Sequence, residues 1–250
     1  MKRLELLGLE NIGEVKAGDS LGQLIVAACS VQGIELADND VLVVAQKIVS
    51  KAEGRTIQLK SVQPSERAQQ LAAQLDKEPE LVEVILGESR SVIRSAGRAL
   101  IVETHHGLIC ANAGVDQSNV GLNQVSLLPE DPDRSAREVR SEIHQRTGKK
   151  PAVIISDSFG RTWRLGTVDV AIGVAGMKPI KDERGARDRY GYQLKAAVAA
   201  VADEIAAAAE LVMGKRAALP VVLVRGFDME KKEDGSAQEL LRPKAEDLFR

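Results

Sequence analysis

Alternating and continuous runs of hydrophobic residues divide this chain into short strands and amphipathic helices. Residues 20–33, SLGQLIVAACSVQG, place apolar side chains at helical spacing after Asp19, which predicts an N-capped helix stopped at Gly33. DVLVVAQ, residues 40–46, is a short apolar run behind a polar turn and predicts a strand. From Lys47 to Arg55 the chain is expected to turn away, punctuated by Gly54. SERAQQLAAQLDK and PELVEVILGES predict helices, the second with Pro79 in its first turn, where a missing N–H leaves nothing unpaired. SVIRS, RALIVET and GLICANAGV predict strands between Ser91 and Val115, separated by Gly97 and Gly107.

DPDRSAREVRSEIHQRTG predicts a charged surface helix ending at Gly148, and AVIIS and VDVAIGVAG predict strands on either side of an FGRTWR loop. QLKAAVAAVADEIAAAAELVMG predicts the longest helix and LPVVLVRG a returning strand. The C-terminal segment reads as a short arm with a partial helix. No repeat, low-complexity tract or clear linker interrupts this order. Strands and helices mix without strict βαβ alternation, so the expected class is α+β rather than a doubly wound sheet. Neither GxGxxG nor GxxxxGKS/T occurs, which leaves a Rossmann site and a P-loop unsupported.

At 250 residues the chain suffices for one large domain or two small ones. Its 34 basic and 36 acidic residues leave a net charge of −2, so nothing draws it globally to nucleic acid or an anionic membrane. Any anion site must be local. Aromatics make up only 2%, yet Phe159, Trp163, Tyr190 and Tyr192 fall in one stretch. That is too few to stack single-stranded nucleic acid and enough to line a pocket for one flat ligand. Cys29 and Cys110 lie in separate apolar segments, as buried thiols of a reducing compartment do, and no Cys/His spacing suits zinc. Glu5 and Glu10 interrupt any signal-peptide core, and Asp203, Glu204 and Glu210 interrupt the apolar stretch from Ala196 to Met213. A cytoplasmic protein without a membrane span is expected.

Candidate chemistry concentrates at Asp116 and Asp157, each of which closes an apolar run and opens a polar loop. An acid at the end of a buried strand is costly to desolvate without a cation or donors. Taken singly, each reads as a cap of a turn or helix. Taken together, with Asn119 after the first and Ser158, Arg161 and Arg164 after the second, they read as oxygen ligands for Mg2+ or Mn2+ beside a phosphate. Spacing alone does not bring the two loops together. Ser158 is either a hydroxyl ligand or a turn cap, and Lys47 and Lys51 either meet phosphates or form a solvated basic face. Arg184, Arg187 and Arg189 add planar forks suited to phosphate or carboxylate, unless Asp182, Glu183 and Asp188 pair with them. His105 and His106 lack a recognisable partner acid or nucleophile and read as structural, or as support for the Asp116 loop.

AQKIVSKAEGR, ETHHGLICANAGVDQSN, VIISDSFGRTWRLGTVDVAIGVAG and RGARDRYGY together resemble the coenzyme F420-0:L-glutamate ligase family, in order and up to about Gly226. The resemblance implies a GTP-dependent ligase that joins L-glutamate to the carboxylate of coenzyme F420-0, with further gamma-linked glutamates as an optional continuation. It implies an acyl phosphate formed from GTP, displacement of phosphate by the glutamate amine, and two Mg2+ or Mn2+ ions with K+ as a further cation. By position, Asp116, Asp157 and Ser158 match the metal ligands, Asp116, Asp157 and Arg161 the catalytic set, and Asn119 a nucleotide contact. Gln46, Lys47 and Lys51 match a GTP-binding stretch, as do Met213, Gly214 and Lys215; Asn11, Ile12, Gly13 and Glu14 match another loosely. Lys215 departs from the family pattern, which has a glutamine near the metal in archaeal members. A protonated lysine cannot coordinate a cation and would meet a phosphate instead. The implied fold is an unusual two-domain α/β arrangement in an intertwined homodimer. Residues 1–250 would form one ligase unit, without the nitroreductase-like domain that some bacterial relatives carry.

Overall fold

The apolar runs around residues 41–45, 152–156 and 221–225 become the centre of one sheet in a computed structural model, which describes residues 2–214 and 218–249. The chain runs through β1 (Glu5–Gly8), α1 (Leu21–Val31), β2 (Val41–Ala45), α2 (Gln46–Ala52) and β3 (Thr56–Gln58). It continues through α3 (Glu66–Leu75), α4 (Pro79–Gly87), β4 (Ser89–Ala96), β5 (Ala99–Thr104), β6 (Ile109–Ala111) and β7 (Gln124–Ser126). Then come α5 (Pro132–Thr147), β8 (Ala152–Arg161), β9 (Arg164–Met177), β10 (Lys181–Asp182) and β11 (Val198–Ala199). Last are α6 (Val201–Met213), β12 (Val221–Arg225) and β13 (Lys231–Lys232).

Six strands form the main sheet in the order β1-β12-β2-β8-β9-β13. Among the described residues of this sheet only β2 and β8 pair in parallel; the other pairs are antiparallel. Helices cover both faces, which is why the central strands are apolar without alternation. Leu42, Val44, Val153 and Ile155 pack with Ile25 of α1 and Val139 and Ile143 of α5. Val41, Val43, Ala152 and Ile154 pack with Ala202, Ile205 and Ala209 of α6. A separate core joins Ala72 and Leu75 of α3 and Val82 and Ile85 of α4 to Leu100, Val102 and Val125 on the smaller sheets. The fold is mixed α and β over several sheets, as the α+β pattern predicts.

Local predictions fail where tertiary pairing overrides local propensity. The 47–55 segment does not simply turn away: Gln46–Ala52 form α2, because burying Ile48 and Val49 in the first core favours a helix there. Ser20, not Asp19, caps α1, its Oγ accepting from the Gln23 N–H at 3.2 Å. The longest helix is α5, with 16 residues, rather than the alanine-rich segment, where α6 has 13. Residues 193–200 lie outside α6, since Val198 and Ala199 instead pair with Asp182 and Lys181. α5 is not charged all round: Pro132, Ala136, Val139 and Ile143 are buried, together with one acid, Asp133, which accepts from the Val174 and Ala237 N–H groups. The FGRTWR stretch is not a free loop, because β8 and β9 extend into it as a long hairpin. Among the described residues no helix is long and apolar enough to cross a membrane.

The first turn of α5 rests directly on β9 at Gly173, where an added Cβ would sit 2.3 Å from the Pro132 carbonyl oxygen. Backbone cannot move aside as a flexible side chain can. Gly173→Ala is therefore expected to destabilise the protein by about 1–3 kcal/mol, read as a lower denaturant midpoint at unchanged slope.

Candidate functional site

The carboxyl end of β2 and the middle of β8, at Ser156–Ser158, open onto a cleft of about 1340 Å³, bordered by the Asp116 loop and the end of α6. Gly13, Glu14, Gln46, Lys47, Lys51, Asp116, Asn119, Asp157, Ser158, Met213 and Gly214 all line it. Asp116 and Asp157, which sequence spacing could not join, thus line one cleft, the second from within β8 rather than from a loop. Asn11 and Ile12 are not among the lining residues: Ile12 is buried in the first core, and Asn11 turns the chain at φ 65°. Arg161 stands at the exposed end of the β8–β9 hairpin, its guanidinium donating to the Leu165 carbonyl at 2.7 Å. Lys215 lies outside the described residues.

Three consecutive residues with positive φ, Asn112, Ala113 and Gly114, bend the chain from β6 into Asp116. Left-handed backbone costs about 1–2 kcal/mol per non-glycine residue, so this turn stores strain beside the site. Glycine is required at 114, where any Cβ would meet the Leu128 side chain at 2.7 Å. The backbone of Asp116 is pinned to Ser126 in both directions, at 3.1 and 2.9 Å. Its Oδ2 accepts from the Lys47 ammonium at 2.6 Å and from Ser118 Oγ at 2.8 Å, while Oδ1 accepts from the Ser118 N–H at 2.8 Å. Burial disfavours ionisation of this carboxyl, but Lys47 and Ser118 outweigh burial and hold it below the usual range. Lys51, one turn further along α2, donates to Glu14 at 2.6 Å.

Asp157 has the opposite balance. Burial, reinforced by the negative charges of Asp169 and Asp116, pushes its carboxyl up to about 7 from 3.8, against the Ser158 N–H and the charge of Lys47. Like charges crowd around this group. Sequence reasoning missed Asp169, a buried acid on β9 directly opposite Ser158. It accepts from Ser158 Oγ at 2.6 Å and from Ser156 Oγ at 3.1 Å. The only signal available was an acid interrupting the apolar VDVAIGVAG run.

The donor set of Asp116, Asp157 and Ser158 is all oxygen, which suits a hard divalent ion. Among the described residues no three His, Cys, Asp or Glu side chains group closely enough to hold a metal alone. A cation here would need ligand oxygens to complete its shell, as Mg2+ commonly does with phosphates and water. The cleft exceeds the roughly 300–1,000 Å³ of common small-ligand pockets, which leaves space for two ligands side by side.

The remaining candidates stand apart from the cleft. Arg184 pairs with Asp182, Arg187 donates to the Gly191 carbonyl, and the Arg189 guanidinium lies 4.5 Å from the Tyr190 ring centre. Glu183 pairs with Lys181, and Asp188 accepts from the backbone N–H groups of Tyr190 and Tyr192. Trp163, Tyr190 and Tyr192 are exposed and do not line the cleft. His105 and His106 contact the carbonyls of Gly87 and Pro129 through Nε2. Burial pushes the Cys29 thiol up to about 11 and the Cys110 thiol up to about 12, which disfavours the thiolate at both.

The model of the F420-0:Gamma-glutamyl ligase family matches residues 10–226. A Methanothermobacter thermautotrophicus protein named coenzyme F420:L-glutamate ligase is 46% identical over 249 residues, covering 99% of both chains. Proteins of the same name from Methanocaldococcus jannaschii and Archaeoglobus fulgidus are 40% and 42% identical, over 100% and 99% of this chain and 98% and 97% of their own. The chain belongs to the F420-0:gamma-glutamyl ligase family and is a ligase.

Proposed function

We propose that this ligase uses GTP to join L-glutamate to the carboxylate of coenzyme F420-0, with further gamma-linked additions as an extension of the same chemistry. The observation that carries the reading is the meeting of Lys47, Asp116 and Asp157 in one cleft large enough for a nucleotide and an acceptor. The names of the relatives supply the acceptor and the amino acid. An oxygen of the acceptor carboxylate attacks the γ-phosphorus, the bond to the bridging oxygen breaks, and GDP leaves an acyl phosphate behind. The glutamate amine, once deprotonated, attacks the acyl carbon, and the C–O bond to phosphate breaks to give amide and inorganic phosphate.

Lys47 and Lys51 face the cleft from α2 and are placed to meet the triphosphate, Lys47 exchanging its bond to Asp116 for one to a phosphate oxygen. Gly13, Glu14, Gln46, Asn119, Met213 and Gly214 shape the nucleotide's surroundings. Asp116, Asp157 and Ser158 would hold two Mg2+ or Mn2+ ions, which neutralise the charge developing on the transferred phosphoryl group; K+ is a further candidate cation. Exposed Trp163, Leu165, Tyr190 and Tyr192 on projecting segments support an intertwined homodimer of two-domain protomers, in which a partner covers these side chains.

Mass spectrometry of coenzyme F420-0 incubated with protein, GTP, L-glutamate and Mg2+ or Mn2+ tests the reading. A glutamyl mass increase that requires GTP is expected. Tight GTP binding with no addition to a verified acceptor would replace the ligase substrates proposed here with another phosphoryl acceptor.

A further inference from the structure

We infer that Asp169 is a positioning residue, which orients the Ser158 hydroxyl so that its oxygen, rather than its proton, is free toward the cleft. The inference rests on the proposed metal-assisted reaction. Successive residues of a strand point to opposite faces, so Asp157 and Ser158 straddle β8 where it enters the cleft. Ser158 shares its face with its cross-strand partner Asp169, and Ser156, two residues back, points the same way. A β-bulge in β9 opposite the Ile155–Ser156 step sets this register, and Asp169 is the residue it places within reach of both hydroxyls.

A serine hydroxyl has one proton and two lone pairs, and a carboxylate only accepts. The 2.6 Å bond to Asp169 Oδ1 therefore consumes the Ser158 proton, and the lone pairs are what Ser158 can offer a cation. Without that acceptor the hydroxyl rotates, and its proton is as available to the cleft as its oxygen. Ser156, buried and 3.1 Å from Oδ2, holds the other carboxylate oxygen and fixes the plane of the group. Asp169, which also lines the cleft, thus accepts one serine hydroxyl on each oxygen, the arrangement of a group that acts on the cleft through Ser158. Outer partners of this kind change metal affinity by about 10- to 100-fold when removed.

Asp169→Asn tests this. Its amide presents one oxygen and one NH2 group, so one of the two serines must face a donor instead of an acceptor. Mn2+ binding, alone and with GDP, is followed by electron paramagnetic resonance, with thermal melting as the control for folding. Asp169→Asn is expected to weaken Mn2+ binding about 10- to 100-fold at an unchanged or higher melting temperature. Ser158→Ala is expected to match it, and the double variant to bind no more weakly than Ser158→Ala alone, because the two residues act as one unit. Full Mn2+ affinity in Asp169→Asn, or losses that add in the double variant, overturns the inference. Asp157→Asn in the same titration separates the two levels: if the wild type binds Mn2+ no better than Asp157→Asn, the metal reading itself fails. Should Asp169→Asn not fold, Ser156→Ala carries the test, with a smaller loss of Mn2+ affinity expected and unchanged affinity fatal to the inference.

Discussion

Asp157→Asn is expected to abolish ligase turnover, by about 1,000-fold or more, while making the metal-free protein more stable. Both effects come from one charge. Asn keeps the shape of the side chain, so the packing around β8 survives, but its neutral amide is a poor substitute for a carboxylate beside a divalent ion. A loss of about 4 kcal/mol of transition-state stabilisation corresponds to that factor. The gain in stability follows from the crowding of Asp157 by burial and by the charges of Asp169 and Asp116, which push its carboxyl up to about 7 from 3.8.

Folding therefore favours the protonated acid. The stability associated with this group is fully present below about pH 4 and is lost as the pH rises through 7. A shift of that size corresponds to at most about 4 kcal/mol, and partial solvent access reduces the expected effect to about 1–3 kcal/mol. Thermal melts in chelator should show Asp157→Asn above wild type at pH 8, by roughly 2–4 °C per kcal/mol, with the gap closing toward pH 5. A gap of constant size, or a variant less stable than wild type at pH 8, would contradict the charge crowding described for the cleft.

The contrast between Asp157 and Asp169 shows what the sequence made legible and what it hid. Asp157 ends an apolar run and is followed at once by serine, glycine and arginine, so its position is marked locally, although the stretch forms a hairpin and not a loop. Asp169 is marked by nothing except being an acid in an apolar strand; its role depends on a partner across a hairpin and on a bulge that sets the register. The same division holds for the fold. β2, β8 and β12 were plain from unbroken Val, Ile and Leu because both sheet faces are buried. The helix at Gln46 was hidden, since its justification is the burial of Ile48 and Val49 against elements distant in sequence. Alanine-rich 193–200 invited a helix by propensity, yet pairing of β11 with β10 decided otherwise. Lys47 and Asp116 each stand out in the sequence, but they lie 69 positions apart, and only the folded chain shows that they touch.

That contact leads to a second large effect with an unusual pair of signs. Lys47→Met is expected to lower kcat/KM for GTP by about 100-fold and, without nucleotide, to tighten Mn2+ binding about tenfold. In the folded chain the Lys47 ammonium occupies Asp116 Oδ2 at 2.6 Å and is also bonded to the carbonyl and hydroxyl of Ser118, each at 2.6 Å. A divalent ion that needs Asp116 must displace that ammonium or share the carboxylate with it. Removing the ammonium removes a competitor and leaves an unbalanced carboxylate beside Asp157, which raises the local attraction for a cation; a tenfold change is about 1.4 kcal/mol. GTP loses in the same exchange, because the cation released from Asp116 is the one placed to meet its phosphates, and a charge-assisted bond to an anion is among the strongest a side chain makes. A lysine that only shaped the turn would produce neither the tighter metal binding nor the opposite response to nucleotide. Mn2+ titrations with and without GDP, alongside initial rates over a range of GTP, separate these cases. Weaker Mn2+ binding in Lys47→Met without nucleotide would show that Lys47 supports the metal centre rather than competing for it.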